Sequence, residues 1–353
     1  MELTRILVRA TNWLGDAVVS LPALRAMRER FPQAHLAVLA RPAVADLYRR
    51  EPCCDRVILG RKGQSRRRLA QELRGEGFEC AVLFANSLDA ALVAWLARIP
   101  RRIGYRRDGR GWLLTDAIGR PRRGEIPPHE RFYYLELLRR AGVLDGLPAA
   151  DTLELSNTAA ARQSGEALFR RMGFEGPVIG LSPGAQNSRA KQWMPEGFAG
   201  AAVRLARELG GGVALFGAEA ERPLAEAIAE AIRQAGHPVL NLAGETSLGQ
   251  FIELAAACSV FLTNDSGAMH VAAAAGAPTV AVFGPTIVEA TGPVSPRARV
   301  VREPVECSPC MLRDCPIDHR CLRRIPVERV AQAALELLNL PAAPAGGGGP
   351  LLP

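Results

Sequence analysis

Residues 260–270 read VFLTNDSGAMH: a strand-like run, a polar turn and the start of a helix. Where a strand passes directly into a helix, the turn presents unpaired backbone N–H groups and the positive end of the helix dipole. Such a turn can hold a diphosphate. Gly267 lets the backbone approach a phosphate, the Ser266 hydroxyl can donate, and Asp265 can accept from a ribose or cap the helix. An ordinary helix N-cap is the alternative interpretation of this motif taken alone.

Strand-like and helix-like segments alternate on both sides of this turn. In the second half, strands are predicted at residues 177–182, 213–216, 239–242, 260–263 and 279–283, with helices at 196–208 and 220–235. Ser247 and Gln250 match a capping box at the start of another helix. In the first half, strands are predicted at residues 5–9, 36–39 and 82–84, with helices at 17–30, 89–98 and 130–140. The pattern predicts an α/β protein with two doubly wound domains and a ligand site facing the cleft between them.

The length of 353 residues exceeds the size at which a single core usually stops growing. We predict an N-terminal domain over residues 1–160 and a C-terminal domain over residues 161–340, with a helix from Thr158 leading into the second domain. Residues 341–353 contain a run of four glycines and are predicted to form a disordered tail.

The net charge of +8 is unevenly distributed. Residues 56–123 contain 16 arginine and lysine residues against 6 aspartate and glutamate residues, so the basic surplus lies in the N-terminal half. This distribution suits an anionic ligand or membrane surface, and the few aromatic residues in this stretch disfavour nucleic acid. The chain has neither a secretory signal pattern nor an uninterrupted apolar run of about 20 residues, so we predict a cytoplasmic protein.

A long polar loop, SPGAQNSRAKQWMP at residues 182–195, follows the predicted strand 177–182. Lys191 is one of only two lysines in an arginine-rich chain. Its compact ammonium group is expected to face the diphosphate as a point charge. Trp193 is expected to pack beneath the loop.

The residues TNWLGD at positions 11–16 follow the first predicted strand. They lack the full G-x-G-x-x-G pattern, which weakens a dinucleotide-binding interpretation. Asp16 then stands at the start of a helix, either as a favourable N-terminal charge or as a general base. The residues alone favour the helix-terminal charge.

Four of the eight cysteines form the cluster Cys307-x2-Cys310-x4-Cys315-x5-Cys321. Four thiols could hold a structural zinc ion or an iron–sulfur centre, or they could remain free thiols. The spacing is more compact than that of a standard zinc finger or ribbon, and His319 could replace one ligand. A bound metal would stabilise a loop rather than take part in catalysis.

Taken together, these motifs resemble the ADP-heptose:lipopolysaccharide heptosyltransferases, most closely the heptosyltransferase II branch. The resemblance rests on five groups of residues: 12–16, 182–185 with 191–193, 216–218, 241–246 and 263–270. It implies a GT-B fold of two Rossmann-like domains facing a central cleft. ADP-heptose would bind the C-terminal domain, and a phosphorylated lipid A–Kdo–heptose acceptor would bind the N-terminal domain. The implied reaction is an inverting transfer that requires no cofactor, to the first heptose of the inner core at the cytoplasmic face of the inner membrane.

The resemblance also implies roles for individual residues. Asp16 would be the general base and Lys191 a catalytic contact to the diphosphate, on facing walls of the cleft as inversion requires. The implied donor contacts are Gln186, Asn187, Lys191, Glu221, Thr246, Asp265, Ser266, Gly267 and His270. Gln186 and Asn187 stand where some relatives have paired threonines.

Several alternatives remain open at this point. The chain could be heptosyltransferase I or III, or a related ADP-sugar transferase with another acceptor. It could also be a nucleic-acid-binding protein that uses the arginine-rich stretch and a cysteine knuckle, or a nucleotide-binding regulator without catalysis.

Overall fold

The computed structural model describes residues 3–61, 63–186 and 188–339. The chain divides into two compact units, Met1–Ala150 and Asp151–Pro353. The second unit begins before residue 161, where we predicted its start, because the intervening segment is tied to it. The Leu153 N–H donates to the Val294 carbonyl (3.0 Å), and the Leu155 N–H donates to the Ala274 carbonyl (2.8 Å). The predicted tail at residues 341–353 lies outside the described residues.

The first unit is built on a parallel sheet of six strands in the order β3-β2-β1-β4-β5-β6. In chain order the strands are β1 Arg5–Arg9, β2 His35–Ala40, β3 Arg56–Leu59, β4 Cys80–Leu83, β5 Arg101–Tyr105 and β6 Asp116–Ile118. β1 pairs in parallel with both β2 and β4, so the strand order reverses between β1 and β4. Such a reversal opens a crevice at the carboxyl ends of the strands, where α/β sheets bind ligands.

Six α-helices cover this sheet in the described part of the first unit. They are α1 Leu14–Val19, α2 Leu21–Arg30, α3 Pro42–Arg49, α4 Arg66–Gly75, α5 Leu88–Leu96 and α6 Arg131–Arg140, with a 3₁₀ turn at Gly111–Leu113. The helix predicted at residues 17–30 is therefore two helices. The break falls at Ser20 because Pro22 has no backbone N–H to continue the α1 hydrogen-bond ladder.

The second unit repeats the same topology, with a parallel sheet in the order β12-β11-β10-β7-β8-β9. Its strands are β7 Val178–Ser182, β8 Gly212–Leu215, β9 Val239–Asn241, β10 Val260–Asn264, β11 Thr279–Phe283 and β12 Ala298–Arg302. All residues of β7, β10 and β11 are buried, as expected for strands covered on both faces. The strand order reverses between β7 and β10.

The helices of the second unit pack on both faces of its sheet. They are α7 Thr158–Arg171, α8 Pro195–Leu209, α9 Arg222–Gln234, α10 Leu248–Ala257, α11 Gly267–Ala274, α12 Val288–Thr291, α13 Arg320–Arg323 and α14 Val327–Asn339, with 3₁₀ turns at Arg189–Lys191 and Glu219–Glu221. The predicted capping box is confirmed. Ser247 Oγ accepts from the Gln250 N–H (3.2 Å), and Gln250 Oε1 accepts from the Ser247 N–H (3.0 Å).

The helices α7 and α10 cross very closely at Gly165. A Cβ atom on this residue would lie 2.0 Å from the Glu253 carbonyl oxygen, so only glycine allows the contact. Across residues 3–61, 63–186 and 188–339, every helix is too short or too polar to cross a bilayer.

Candidate functional site

Two loops meet at the strand reversal of the second sheet. One is residues 183–194, which follow β7, and the other is the turn between β10 and α11. Because β7 and β10 are parallel neighbours, both loops emerge at the carboxyl end of the sheet. Lys191 Nζ lies 2.7 Å from Asp265 Oδ2, where the carboxylate side chain is 5% exposed and the lysine side chain 27%. The structure therefore brings together two candidate residues that are far apart in the sequence.

The side chain of Asn264 joins these two loops. It is fully buried at the end of β10. Its Oδ1 accepts from the Trp193 N–H (2.9 Å), and its Nδ2 donates to the Pro183 carbonyl (2.7 Å). A single carboxamide thus anchors both ends of the loop that carries Lys191. Sequence reasoning did not assign this positioning role to Asn264.

Trp193 packs beneath the loop, as predicted. Its side chain is buried, and its ring centroid lies 5.2 Å from that of Phe198 in an edge-on arrangement. The loop therefore rests on the helix α8 that follows it.

The first turn of α11 is not capped by Ser266. Ser266 occupies the N-cap position with extended backbone angles, but its side chain makes no hydrogen bond to the turn. Its Oγ instead lies 3.2 Å from Thr263 Oγ1. Since Asp265 is paired with Lys191, the geometry departs from an ordinary N-cap. A helix start of this kind, beside an ammonium group, is suited to an anion.

Gly267 and His270 lie on α11 itself. Gly267 is the first residue of the helix, and His270 lies one turn further along and is 8% exposed. Gly267 and His270 therefore follow Asp265 by two and five residues, on the helix that begins next to the Lys191–Asp265 pair.

Glu221 lies at the carboxyl end of β8, at the end of the 3₁₀ turn Glu219–Glu221. Its Oε2 accepts from the Ala218 N–H (2.8 Å). Its Oε1 faces the Lys191 loop, because a Cβ atom on Gly184 would lie 2.0 Å from it. The carboxylate therefore borders the same edge of the sheet as the Lys191–Asp265 pair.

The remaining predicted donor contacts are more peripheral. Gln186 is exposed in a turn of the Lys191 loop, and Thr246 is half-buried in the connection between β9 and α10. Since β9 is the edge strand, Thr246 stands two strands away from β7. Asn187 lies outside the described residues.

Asp16 follows the central strand of the first unit, as the Lys191 loop follows β7 in the second unit. It is half-buried in the first turn of α1, which follows the central strand β1. Two groups on or beside α6 sense its charge. Displacement of water and the negative charge of Asp16 raise the pKa of Glu130, and burial followed by the Asp16 charge raises the pKa of Tyr134. The structure thus places a second carboxylate, Glu130, in the neighbourhood of Asp16.

Arg9 fixes the connection that leads to Asp16. This buried residue ends β1, and its guanidinium donates to the Ala10 carbonyl (2.7 Å), the Leu39 carbonyl (3.2 Å) and Asn12 Oδ1 (3.0 Å). Burial, with a smaller contribution from Arg41, lowers the pKa of Arg9 to about 10. Sequence reasoning missed this residue, although an arginine that closes an apolar strand was a usable signal.

The cysteine-rich segment, residues 307–321, connects β12 to α13. Cys307, Cys310 and Cys315 are half-buried free thiols, and Cys321 is a buried one. Burial and the influence of the other three raise the pKa of Cys321. Among the residues that the structure describes, no three His, Cys, Asp or Glu side chains are arranged to hold a metal ion. A zinc ion or iron–sulfur centre at this cluster stays a prediction.

The cysteine-rich segment also contacts two loops at the carboxyl end of the sheet, the Lys191 loop and the connection that follows β11. The Arg313 carbonyl accepts from the Ala190 N–H (3.0 Å) and from Ser188 Oγ (3.1 Å). The Met311 N–H donates to the Pro285 carbonyl (2.8 Å), just after β11. The segment therefore braces the middle of the Lys191 loop, at Ser188 and Ala190, whereas Asn264 holds its two ends.

Comparison with known proteins identifies the family. The model of glycosyltransferase family 9 (heptosyltransferase) matches residues 66–320, which is most of the chain. The chain belongs to glycosyltransferase family 9. It is 34% identical over 308 residues to lipopolysaccharide heptosyltransferase 2 of Salmonella typhimurium, with 84% of this chain and 88% of the relative covered. The lipopolysaccharide heptosyltransferase 2 of Escherichia coli K12 gives the same identity and coverage.

A solved structure of family 9 has the same fold. The structure of E. coli ADP-heptose LPS heptosyltransferase II superposes with a TM-score of 0.81 at 32% identity, covering 95% of this chain and 98% of that one. The chain is therefore a glycosyltransferase, and the predicted GT-B class is confirmed. The family assignment also removes the nucleic-acid-binding and regulator alternatives as the primary function.

Proposed function

We propose that this family 9 enzyme transfers a heptose, with inversion, from ADP-heptose to the first heptose of the lipopolysaccharide inner core. The relatives named above are heptosyltransferases 2, and the similar solved structure is an ADP-heptose LPS heptosyltransferase II, which supports this subtype over I or III. The observation that carries the proposal is the Lys191–Asp265 pair, 2.7 Å apart, beside the uncapped start of α11.

Lys191, Ser266 and the first backbone N–H groups of α11 would hold the diphosphate of the donor. When the bond between the sugar and the β-phosphate breaks, the electron pair leaves with ADP. A fixed ammonium group and helix N–H groups stabilise the negative charge that develops there, without a metal ion. The Asp265 carboxylate, whose Oδ2 lies 2.7 Å from Lys191 Nζ, would keep the ammonium group in position.

Glu221, Thr246, Gln186 and Asn187 would bind the nucleoside and sugar parts of the donor. Glu221 uses one carboxylate oxygen to accept from the Ala218 N–H. Its second oxygen, which faces Gly184, would accept from a ribose hydroxyl. His270, at 8% exposure, would complete the wall of the site from α11.

Asp16 would act as the general base in the first unit. The acceptor hydroxyl oxygen attacks the anomeric carbon as its proton passes to the Asp16 carboxylate, and the C–O bond to the phosphate breaks. Arg9 would position Asp16 through the backbone and Asn12 contacts that fix the β1–α1 connection.

The acceptor in this proposal is a phosphorylated lipid, and the enzyme would work as a peripheral protein on the cytoplasmic face of the inner membrane. The basic surplus of residues 56–123 supports an anionic partner of this kind.

An ADP-release assay with defined acceptors tests the proposed function. We expect ADP release from ADP-heptose to require an acceptor that carries one inner-core heptose. Mass spectrometry of lipopolysaccharide from a strain that lacks the gene should show a core truncated after that heptose. A full-length core, together with no ADP release on the one-heptose acceptor, would refute the assignment.

A further inference from the structure

An uncovered apolar face lies on α5 of the first unit. The helix carries a single charged residue, Asp89, and its inner side is buried by four small or branched residues: Ala90, Ala91, Val93 and Ala94. On the outer side, Leu88 is 46% exposed and Trp95 is 44% exposed, with Leu92 half-buried between them. Their spacing of four and three residues places them on one face of the helix. A surface helix ordinarily has polar residues at these positions.

Trp112 extends this face from the neighbouring 3₁₀ turn Gly111–Leu113. It is 70% exposed, and its ring centroid lies 6.3 Å from that of Trp95 in an edge-on arrangement. The turn is fixed from beneath by the buried Arg110, which donates to the carbonyls of Tyr105 (3.0 Å) and Ser87 (3.2 Å). The fold therefore holds Trp112 outward on a well-anchored turn.

Three exposed arginines border the tryptophan pair. Arg74 donates to the Leu96 carbonyl (2.6 Å) at the end of α5, and Arg98 follows Trp95 by three residues. The methylene stem of Arg106 lies against the Trp112 turn, because a Cβ atom on Gly111 would be 3.0 Å from Arg106 Cγ. The patch thus combines an apolar centre with a basic rim.

We propose that this patch docks the enzyme on an anionic lipid bilayer. The docking patch consists of Leu88, Leu92, Trp95 and Trp112 with the rim Arg74, Arg98 and Arg106. Tryptophan rings prefer the interface between water and hydrocarbon, and arginines beside them are attracted by anionic headgroups. This inference rests on the proposed function only in that a lipid-linked acceptor is found at such a surface.

Charge favours a bilayer over a second copy of the chain. A symmetric dimer built on this patch would bring two identical basic rims together and leave them unpaired. A bilayer offers both partners at once, since its headgroups neutralise the arginines and its interface receives the indole rings.

Vesicle sedimentation with the full chain tests the docking patch. We expect binding to vesicles of phosphatidylcholine containing about 30% phosphatidylglycerol, and little binding to phosphatidylcholine alone. The double variant Trp95→Ser/Trp112→Ser should partition at least about tenfold less onto the anionic vesicles. The double variant Arg98→Glu/Arg106→Glu should lose at least about twenty-fivefold, since each basic residue contributes about fivefold at an anionic surface.

Matched controls come from exposed residues of the second unit. Met172→Ser/Ile317→Ser and Arg170→Glu/Arg171→Glu remove exposed apolar and exposed basic side chains outside the patch and should bind vesicles as the wild type does. Tryptophan fluorescence of the wild type should shift to shorter wavelength on anionic vesicles. Vesicle binding by the tryptophan variant equal to that of the wild type overturns the proposal, as does a loss of self-association in that variant with unchanged vesicle binding.

Turnover on a deacylated, water-soluble acceptor separates the two proposals. The variant Trp95→Ser/Trp112→Ser should retain wild-type turnover on this acceptor, since neither tryptophan belongs to the proposed catalytic site or to the basic side chains proposed to attract the acceptor. Wild-type protein that binds anionic vesicles but transfers nothing to any acceptor contradicts the proposed function alone. Wild-type protein with normal turnover and no vesicle binding contradicts the docking patch alone.

Discussion

The two units share one strand order but present side chains of opposite charge after their first strands. In each, the first strand is central and the order reverses between the first and fourth strands of the unit. In the first unit a short connection, residues 10–13, delivers the carboxylate of Asp16 to the reversal. In the second, a loop of residues 183–194 delivers the ammonium of Lys191, and Asn264 fixes both of its ends. In both units the sheet fixes where the crevice lies, and the connection after the first strand supplies the charged side chain.

We expect the largest loss of activity from a substitution of Asp16 in the first unit. Asp16→Asn should lower kcat by about 100-fold to 10,000-fold, because the amide cannot accept the acceptor's proton. ADP affinity, measured by titration calorimetry, should stay within about twofold, because the proposed diphosphate contacts all lie in the second unit. Turnover within a few-fold of wild type would remove Asp16 from the role of base.

A substitution of Lys191 in the second unit should mainly weaken ADP binding. Lys191→Met should weaken ADP binding by about 10-fold to 100-fold, the range of a charge-assisted hydrogen bond. It should also lower the melting temperature, because the Asp265 carboxylate, 5% exposed, loses its partner.

The double variant Lys191→Met/Asp265→Asn separates these two consequences. We expect the double variant to recover the melting temperature, because the unpaired Asp265 carboxylate has been removed. It should not recover the ADP affinity, because the Lys191 ammonium is still missing. Recovery of ADP affinity in the double variant would show that Lys191 serves the fold rather than the anion.

A third test addresses the loop anchor. Asn264→Ala leaves the Trp193 N–H and the Pro183 carbonyl without their partner, which should lower the free energy of unfolding by about 2–4 kcal/mol. ADP affinity should fall as well, while catalytic residues of the first unit are untouched. Chemical denaturation gives the first quantity and calorimetry the second. A variant with unchanged stability and unchanged ADP affinity would contradict a positioning role for Asn264.

The smallest effect concerns Glu130, whose pKa is raised by loss of water and by Asp16. The folded state therefore binds the Glu130 proton more tightly than the unfolded state does. The tighter binding of this proton stabilises the folded state. The stabilisation is fully present below the unfolded pKa of about 4.3 and is lost as the pH rises through the folded pKa. Glu130→Gln should flatten the fall in melting temperature over that window. An identical pH profile in both proteins would show that folding does not raise the pKa of Glu130.

The central strands were predictable because their residues are buried on both faces. β1 and β11 match the predicted ranges 5–9 and 279–283, since each contains an uninterrupted apolar run, residues 6–8 in β1 and 280–283 in β11. The edge strand β3, Arg56–Leu59, was not predicted, because it is short and begins with an exposed arginine. Helix α4 was missed for a related reason, since only Ala70 and Leu73 are buried in a segment rich in arginine.

The site followed a similar division. Lys191 and Asp265 could be found from local motifs, because a lone lysine and a strand-to-helix turn are visible in the sequence. The roles of Asn264 and Arg9 could not, because each side chain has at least one backbone partner far along the chain. Asn264 reaches Trp193 across 71 positions, and Arg9 reaches Leu39 across 30. Residue type does not reveal which distant carbonyl or N–H a side chain will meet in the folded chain.

The anchoring of the Lys191 loop by Asn264 has a thermodynamic consequence for ligand capture. A polar loop of this length would ordinarily lose conformational entropy when an anion orders it, and that loss would weaken binding. Here the amide of Asn264 and the packing of Trp193 restrict the loop as the chain folds. The ammonium group therefore meets its ligand from a restricted set of positions, and more of the electrostatic attraction remains as affinity.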